Sequence, residues 1–292
     1  MTTLAPPRTN RWPPSTYPDL DAQLALFRSQ HRPITAHLGG ITWSYLVAGH
    51  GPQTLLLLPG APGIAEMAFA YITAFAPQYR VIAPSYPAEV GSLDLLLAGL
   101  DDLIAREISG SFHLIGASYS GMVAQYLVPR HAERIASLQI GDTGVPRPER
   151  ARAMELATNL VARSSQTVFS AFLSTVLRFV LKGQSPAHRF WQRYFKGVVA
   201  NLRVDEFANR VRVMIDMDRQ GQRLHSSPGW QGPTLLLETA ADPLFSPTER
   251  ASLRQRFPHA ETHTFHSRGH ITALTRAPEY IAVMSAFLQR LN

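Results

Sequence analysis

A cluster of small residues joins a predicted strand directly to a predicted helix within residues 112–122, which read FHLIGASYSGM. The apolar run Phe112–Ile115 favours a strand, and the residues after the turn show apolar positions at helical spacing. In so sharp a turn the end of the strand lies against the first turn of the helix, so the positions two before and two after the central residue must be small. Gly116 and Ser120 meet this condition around Ser118. The stretch therefore predicts that Ser118 is held on a strained strand-to-helix turn.

The motif Gly116-x-Ser118-x-Ser120-Gly121 resembles the nucleophile elbow of the α/β-hydrolase fold, whose usual form is G-x-S-x-G. Ser120 stands where the second glycine is usual, and it is small enough for that position. Ser120 is the poorer choice as nucleophile, because Met122 would then fill the second small position and clash. Similar turns occur in parallel sheets that bind phosphate or have no site, so the functional interpretation depends on finding partners for Ser118.

Apolar strands and amphipathic helices alternate over most of the chain. Two short predicted strands, Ile34–Leu38 and Ile41–Val47, flank a Gly-Gly pair and are typical of an antiparallel hairpin. Further strands are expected at residues 53–58, 79–84, 112–115, 135–141, 234–239 and 261–265, with helices between them. This alternation is typical of a doubly wound parallel sheet. The resemblance implies a mostly parallel, eight-stranded α/β-hydrolase sheet flanked by helices.

One long segment interrupts the alternation. Residues 146–228 show no clear strand, and their patterning predicts helices at Ala151–Val161, Val168–Leu181 and Phe190–Arg212. The resemblance implies that this segment is a helical cap, or lid, inserted after the sixth strand. We therefore expect an N-terminal arm and short helix at residues 1–30, an α/β-hydrolase core formed by residues 31–145 and 229–292, and the cap at residues 146–228.

The predicted cap is both basic and apolar. Residues 147–228 contain 14 of the 28 Lys and Arg residues but 6 of the 21 Asp and Glu residues, so this segment carries the positive excess of a chain whose net charge is +7. Its second helix has an apolar face formed by Phe169, Phe172, Leu173, Val176, Phe179 and Val180. We expect this face to pack on the sheet domain and to line the acyl pocket. A dimer face and a basic amphipathic contact with a membrane surface are the alternatives. The cations are expected to be solvated, with an anionic carrier or a lipid headgroup as alternative partners.

Two loops near the C-terminus supply candidate partners for Ser118. A Gly-His pair follows the last predicted strand and resembles the family's histidine loop, so His270 is the expected base. Asp242 lies in the sequence AADPLFSP just after the seventh predicted strand, and this loop resembles the family's acid loop. Asp142 is the alternative acid, because it follows the sixth strand and that strand end faces the same site. The order Ser118, Asp242, His270 is that of the α/β-hydrolase catalytic triad.

Candidate backbone donors lie in the elbow and in the loop after the third predicted strand, which reads PGAPG over residues 59–63. In the family, a His-Gly-x turn at this place donates one NH to the oxyanion hole. Here Pro59 replaces the histidine, and Pro62 has no NH to donate. The resemblance therefore implies an oxyanion hole formed by the backbone NH groups of Ala61 and Tyr119. A plain Gly-Pro turn is the alternative interpretation of the loop.

With these partners, Ser118 implies acyl-transfer chemistry. The resemblance implies a serine hydrolase that cleaves carboxylic esters or related small-molecule acyl compounds through an acyl-enzyme, with no metal and no organic cofactor. Epoxide hydrolases and haloalkane dehalogenases of this fold need a carboxylate at the elbow, and Ser118 cannot form their alkyl-ester intermediate. Hydrolysis of thioesters, lactones, amides and carbon–carbon bonds stays open.

The first half of the chain is similar to the maspardin-like branch of the family at WSYLVAG (residues 43–49), LPG (residues 58–60) and YRVIA (residues 79–83). That branch includes members thought to bind partners rather than turn over substrate, and they lack the usual histidine. The alternative function is therefore a catalytically weak binding or adaptor protein that uses the fold as a docking surface. The presence of His270 favours an enzyme.

The composition limits the classes of protein and the cellular compartments that are compatible with this sequence. The chain contains no cysteine, which excludes disulfides and a thiol nucleophile and is compatible with a reducing compartment. No apolar run reaches the roughly 18 residues that would span a bilayer, and the first residues lack the apolar core of a signal peptide. We therefore expect a cytoplasmic monomer or homodimer that does not bind nucleic acid.

Overall fold

A computed structural model describes residues 19–225 and 230–291, and within them eight strands form one sheet. The strands are β1 (Ile34–Leu38), β2 (Ile41–Ala48), β3 (Thr54–Leu57), β4 (Arg80–Ser85), β5 (Phe112–Ala117), β6 (Ile135–Gly141), β7 (Thr234–Ala241) and β8 (Glu261–Arg268). Their order across the sheet is β1-β2-β4-β3-β5-β6-β7-β8. β2 runs antiparallel to β1 and β4, and the other neighbouring pairs are parallel. The carboxyl ends of β3 to β8 therefore share one edge of the sheet.

Helices cover the sheet and fill the segment between β6 and β7. They are α1 (Leu20–Gln30), α2 (Phe69–Phe75), α3 (Leu93–Glu107), α4 (Tyr119–His131), α5 (Pro148–Ala162), α6 (Gln166–Val180), α7 (Pro186–Asn201), α8 (Val204–Arg219), α9 (Gly221–His225), α10 (Pro247–Arg256), α11 (Thr272–Thr275) and α12 (Ala277–Gln289). None of the helices in the described ranges is long and apolar enough to cross a bilayer.

Both faces of the sheet are buried, as the consecutive leucines of β3 require. Side chains alternate between the two faces of a strand. Leu56 accordingly packs in a cluster with residues of α3 and α4, whereas Leu55 and Leu57 pack with residues of α2 and α12. This arrangement explains why the strand has an unbroken apolar sequence, which is typical of parallel sheets covered on both sides.

The predicted hairpin and the mostly parallel, eight-stranded sheet are confirmed. The predicted arm before residue 19 and the predicted boundary at residues 228 and 229 lie outside the described residues. Between β6 and β7 the described residues form α5 to α9 and no strand. We refer to these five helices as the helical insertion.

The predicted single helix Phe190–Arg212 is wrong, because the chain forms α7 and α8 there. Helix α7 ends at Asn201, and the backbone of the next residue, Leu202, is extended (φ −75°, ψ 124°). A new helix begins at Val204, with Asp205 and Glu206 in its first turn. Acidic side chains stabilise the positive end of the helix dipole, so these two residues favour a helix start at this point.

Helix α6 contacts α7 and, through Leu177 and Val180, the core cluster that also contains residues of α2 and β3. Phe169 and Leu173 are buried in a small separate cluster with Val199 of α7. Phe172 and Phe179 are 48% and 62% exposed, and Val176 is also exposed. The expectation that the whole apolar face of this helix packs on the sheet domain and lines the acyl pocket is therefore wrong. Its outward half faces solvent.

Candidate active site

Ser118 occupies the turn between β5 and α4 with φ 55° and ψ −119°. Positive φ is strained for a residue with a side chain and persists where the surroundings enforce it. Here the surroundings are tight: a Cβ atom on Gly116 would lie 2.5 Å from the carbonyl oxygen of Ser120, and one on Gly121 would lie 2.7 Å from the Thr143 side chain. The small residues that predict the turn are thus required by its geometry.

Ser118, His270 and Asp242 form one hydrogen-bonded chain at the carboxyl edge of the sheet. Ser118 Oγ lies 2.8 Å from His270 Nε2, and His270 Nδ1 lies 2.9 Å from Asp242 Oδ2. The three residues follow β5, β7 and β8, so the parallel sheet brings their loops together. When Nδ1 donates its proton to the carboxylate, Nε2 is left as an acceptor for the serine hydroxyl.

Along these three hydrogen-bonded residues, burial increases toward the carboxylate. The exposed fraction of the side chain is 10% for His270 and 1% for Asp242. The second carboxylate oxygen, Asp242 Oδ1, accepts a 2.7 Å hydrogen bond from the NH of Leu244. The ring centroids of Phe245 and His270 are 5.6 Å apart, so an apolar ring restricts the imidazole. Because water is largely excluded here, the hydrogen bonds are stronger than they would be at the surface.

Asp142, the alternative acid, lies close to this chain and forms other hydrogen bonds. Its Oδ1 accepts a 2.8 Å hydrogen bond from the NH of Thr239, and its Oδ2 accepts a 2.8 Å hydrogen bond from the hydroxyl of Tyr280. Burial raises the pKa of Asp142 to about 6, and the negative charge of Asp242 acts in the same direction. The Asp142 carboxyl thus joins the end of β6 to β7 and α12, and the hydrogen-bond partner of His270 Nδ1 is Asp242.

The turn at residues 60–63 contains Ala61 and follows Leu58, whose carbonyl oxygen lies 3.0 Å from Ser120 Oγ in the elbow. The NH of Gly63 donates to the carbonyl of Gly60 at 2.8 Å, and the NH of Tyr86 donates to the carbonyl of Gly63 at 2.9 Å. Within residues 19–225 and 230–291, the NH groups of Ala61 and Tyr119 have no acceptor. Tyr119 is the first residue of α4, where an NH has no partner inside the helix and a negative charge is favoured.

Ser120 has a second role that its size did not predict. Its Oγ accepts a 2.9 Å hydrogen bond from the NH of Ala117 and lies 3.0 Å from the carbonyl oxygen of Leu58. Leu58 precedes the 60–63 turn, so the hydroxyl joins the elbow to the segment that carries Ala61. A hydrogen-bonding side chain in place of the usual glycine is the sequence signal that could have indicated this contact.

Arg210 of α8 reaches from the helical insertion to the 60–63 turn. It is 5% exposed, and its guanidinium donates to the carbonyls of Tyr86 and Pro87. A Cβ atom on Gly63 would lie 2.8 Å from Arg210 Nη2, and Gly63 has φ +69°. Burial lowers the pKa of Arg210, but Glu206 lies 3.8 Å away and partly balances the charge. No pattern in the sequence indicates this contact, because a lone arginine in an amphipathic helix is usually solvated.

Helix α7 contacts the segment that follows His270. The indole NH of Trp191 donates to the carbonyl of Leu274 in α11 at 3.1 Å. Helix α7 also borders an open cleft of about 590 Å³, which is lined by Pro62 and Ile64 as well as by Phe190 and Tyr194. The cleft adjoins the 60–63 turn and does not include Ser118 or His270. Across the described part of the chain, no group of three or more His, Asp or Glu side chains is arranged to hold a metal ion.

Comparisons with known proteins agree with this architecture. Residues 55–283 match the model of a family described as the alpha/beta hydrolase family. The poly(3-hydroxyalkanoate) depolymerase of Ectopseudomonas oleovorans is 26% identical over 260 residues, which cover 81% of this chain and 84% of that protein.

Two solved structures show the same fold. The enol-lactonase of Burkholderia xenovorans LB400 superposes with a TM-score of 0.74 and 18% identity, and the match covers 88% of this chain and 100% of that one. An esterase of Thermogutta terrifontis superposes with a TM-score of 0.75 and 17% identity, covering 89% and 99% of the two chains. The family match spans most of the sequence, and the chain belongs to the alpha/beta hydrolase family.

Proposed function

We propose that this protein is a serine hydrolase that cleaves carboxylic esters through an acyl-enzyme intermediate. The observation that carries the proposal is the continuous chain from Ser118 Oγ to His270 Nε2 at 2.8 Å and from His270 Nδ1 to Asp242 Oδ2 at 2.9 Å. A serine hydroxyl is a weak nucleophile on its own, and a base within hydrogen-bond distance, oriented by a third group, activates it.

In the first half of the proposed reaction, Ser118 Oγ attacks the ester carbonyl while its proton passes to His270 Nε2. Asp242 holds the imidazole in the required tautomer and stabilises the imidazolium. The NH groups of Ala61 and Tyr119 bind the oxyanion, and comparable donors lower the barrier by about 3 to 4 kcal/mol each. The imidazolium then gives its proton to the departing alcohol, which leaves an ester of Ser118.

In the second half, His270 takes a proton from water as the water attacks the acyl carbonyl. Collapse of the second tetrahedral intermediate returns the proton to Ser118 Oγ and releases the carboxylic acid. The same base therefore serves both half-reactions, and every proton is accounted for by these residues and one water.

The comparisons support an ester as the substrate class. A poly(3-hydroxyalkanoate) is a polyester, so the activity named for the Ectopseudomonas relative is ester cleavage. The open cleft lined by Pro62 and Ile64 offers space for a long chain beside the segment that carries Ala61. We propose that the helical insertion is a cap over the site, supported by the contacts of Arg210 and Trp191 with the loops around it.

Labelling with a fluorophosphonate probe tests the proposal directly. The wild-type protein should become covalently labelled, and Ser118→Ala should not. Ser29→Ala removes another serine hydroxyl, at the surface of α1, and should leave labelling unchanged. A folded wild-type protein that does not react would contradict the proposal and favour the alternative of a docking protein. If the wild type is labelled, a series of p-nitrophenyl esters of increasing acyl length would define the preferred substrate.

A further inference from the structure

The exposed apolar side chains of this protein are concentrated in the helical insertion. Ten large apolar residues of the described chain are exposed, and six of them lie on α5 and α6. On α6 they are Val168, Phe172, Val176 and Phe179, whose spacing of four, four and three residues places them on one side of the helix. We call these four residues the outer face of α6.

The outer face continues the buried side of the same helix. Phe169 and Leu173 pack against Val199 of α7, and the adjoining outer face, at about 100° per residue, carries two phenylalanine rings toward solvent. An apolar stripe this wide is normally buried across its whole width. Contiguous exposed apolar surface of this kind is typical of a site that contacts another surface.

The segment that carries this face contains only positive charges. Residues 156–204 include seven Lys and Arg residues and no Asp or Glu. Within the described residues, Arg163, Arg178 and Lys182 are exposed and form no ion pair with a carboxylate. Arg178 donates instead to the hydroxyl of Thr175, which is next to Val176. Arg178 directly precedes Phe179 and Lys182 follows the last turn of α6, so these two cations flank the outer face and can meet an external anion.

We propose that the outer face of α6 binds lipid surfaces that carry anionic headgroups. The phenylalanine rings would enter the boundary between headgroups and acyl chains, and the flanking cations would lie at the level of the phosphates. Each Lys or Arg held near an anionic membrane strengthens binding by about fivefold. The interaction places the protein at an interface independently of the chemistry at Ser118.

A second copy of the chain is the competing occupant, and the charge distribution disfavours it. In a two-fold symmetric contact the same patch faces itself, so Arg178 and Lys182 of each copy would approach the like charges of the other. Residues 156–204 offer no carboxylate to balance them. An anionic lipid surface satisfies both the apolar and the basic parts of the patch.

Sedimentation of the purified protein with lipid vesicles tests the inference. We expect binding to vesicles of phosphatidylcholine mixed with phosphatidylglycerol that exceeds binding to phosphatidylcholine alone by about tenfold or more. The double variant Phe172→Ser with Phe179→Ser should weaken binding by about tenfold or more, since two large rings no longer enter the lipid. Arg178→Gln with Lys182→Gln should weaken it by a similar factor, about fivefold for each charge.

Matched controls lie outside the helical insertion. Leu26 is 57% exposed on α1, and Arg32 is exposed in the loop after it, so Leu26→Ser and Arg32→Gln repeat the chemical changes elsewhere. Both should bind vesicles like the wild type. Equal effects of the controls and the α6 variants, or equal binding to neutral and anionic vesicles, would overturn the inference.

Light scattering shows whether the outer face of α6 binds a lipid surface or a second copy of the protein. A wild-type dimer that the Phe172 and Phe179 substitutions convert to monomer, without vesicle binding, would overturn the proposal in favour of self-association. Ser118→Ala should bind vesicles like the wild type, so vesicle binding and ester hydrolysis can fail independently of each other.

Discussion

The hydroxyl of Ser120 lies 3.0 Å from the carbonyl oxygen of Leu58 and accepts a hydrogen bond from the NH of Ala117. This contact joins the turn that carries Ser118 to the strand end that leads to Ala61. Ser120 is fully buried, so a lost hydroxyl would leave both backbone groups without this partner. Removing a buried hydrogen-bonding side chain in this way typically costs about 1 to 3 kcal/mol.

Ser120→Ala should therefore lower the free energy of unfolding by about 1 to 3 kcal/mol, measured by urea denaturation. The Cβ atom is kept, so the turn itself has no new steric conflict. Ser120→Gly restores the family's usual residue and should be destabilised at least as much, because the hydroxyl is lost and the unfolded chain gains freedom. A Ser120→Ala protein as stable as the wild type would show that the hydrogen bonds have no net effect.

Asp242 should be far more important for ester hydrolysis than Asp142. Asp242→Asn changes the group that fixes the His270 tautomer. The corresponding change in serine hydrolases with the same Ser-His-Asp hydrogen bonds lowers kcat by about 10⁴-fold. Asp142→Asn keeps an acceptor for the NH of Thr239 and should retain kcat within about tenfold. Steady-state kinetics on one p-nitrophenyl ester compares the two variants. The reverse ranking would identify Asp142 as the acid.

Asp142 should make the fold less stable as the pH rises. Its pKa is raised from 3.8 to about 6 by burial, so between these values the folded protein binds a proton that the unfolded chain has lost. The stabilisation from this proton is fully present below about pH 4 and is lost as the pH rises through about 6. A difference of two pKa units corresponds to roughly 3 kcal/mol at most.

The variant Asp142→Asn isolates this effect, since Asn does not titrate and the neighbouring Asp242, His270 and Tyr280 are retained. Relative to the wild type, its free energy of unfolding should rise by about 2 to 3 kcal/mol between about pH 4 and pH 7. Urea denaturation across that range measures the difference. A difference that does not change with pH would mean that Asp142 has an ordinary pKa in the folded protein.

Arg210 should position the 60–63 turn for catalysis. Arg210→Met removes the donors to the carbonyls of Tyr86 and Pro87, and Tyr86 in turn holds Gly63 through its NH. We expect kcat to fall by about tenfold with a smaller change in KM, because Ala61 would bind the oxyanion in the transition state less well. Arg210→Lys should rescue little, since an ammonium group cannot span both carbonyls as a planar guanidinium does.

Arg212→Met is the matched control for Arg210. It removes the same charge from the same helix, but Arg212 is exposed and contacts Asn209. Its kcat should equal that of the wild type, and its free energy of unfolding should change by less than about 0.5 kcal/mol. Equal losses of kcat in the two variants would indicate a general effect of charge and would contradict a positioning role.

Much of the fold was predictable because local chemistry decides it. A strand covered on both faces needs an unbroken apolar run such as the leucines of β3, and a tight elbow needs small residues at Gly116 and Gly121. Parallel strands also place the residues that follow them at a common edge. The proximity of Ser118, His270 and Asp242 therefore follows from their positions after β5, β8 and β7.

Other features depend on tertiary contacts that no local pattern encodes. The spacing of apolar residues in α6 predicts a helix, but it does not say how much of the wide apolar face is covered, and Phe172 and Phe179 are exposed. The break between α7 and α8 contains no glycine or proline, so helical periodicity alone did not reveal it. Arg210 is buried because two backbone carbonyls on another segment accept its hydrogen bonds.

The bond between Trp191 and Leu274 joins a helix of the insertion to the segment just beyond the imidazole. Tyr71 of α2 also holds the short helix α11, because its hydroxyl donates to the carbonyl of Ala273 at 2.6 Å. Helix α11 is therefore tied both to the insertion and to a helix that covers the sheet. A displacement of α7 would reach the residues after His270 only as far as this second bond allows.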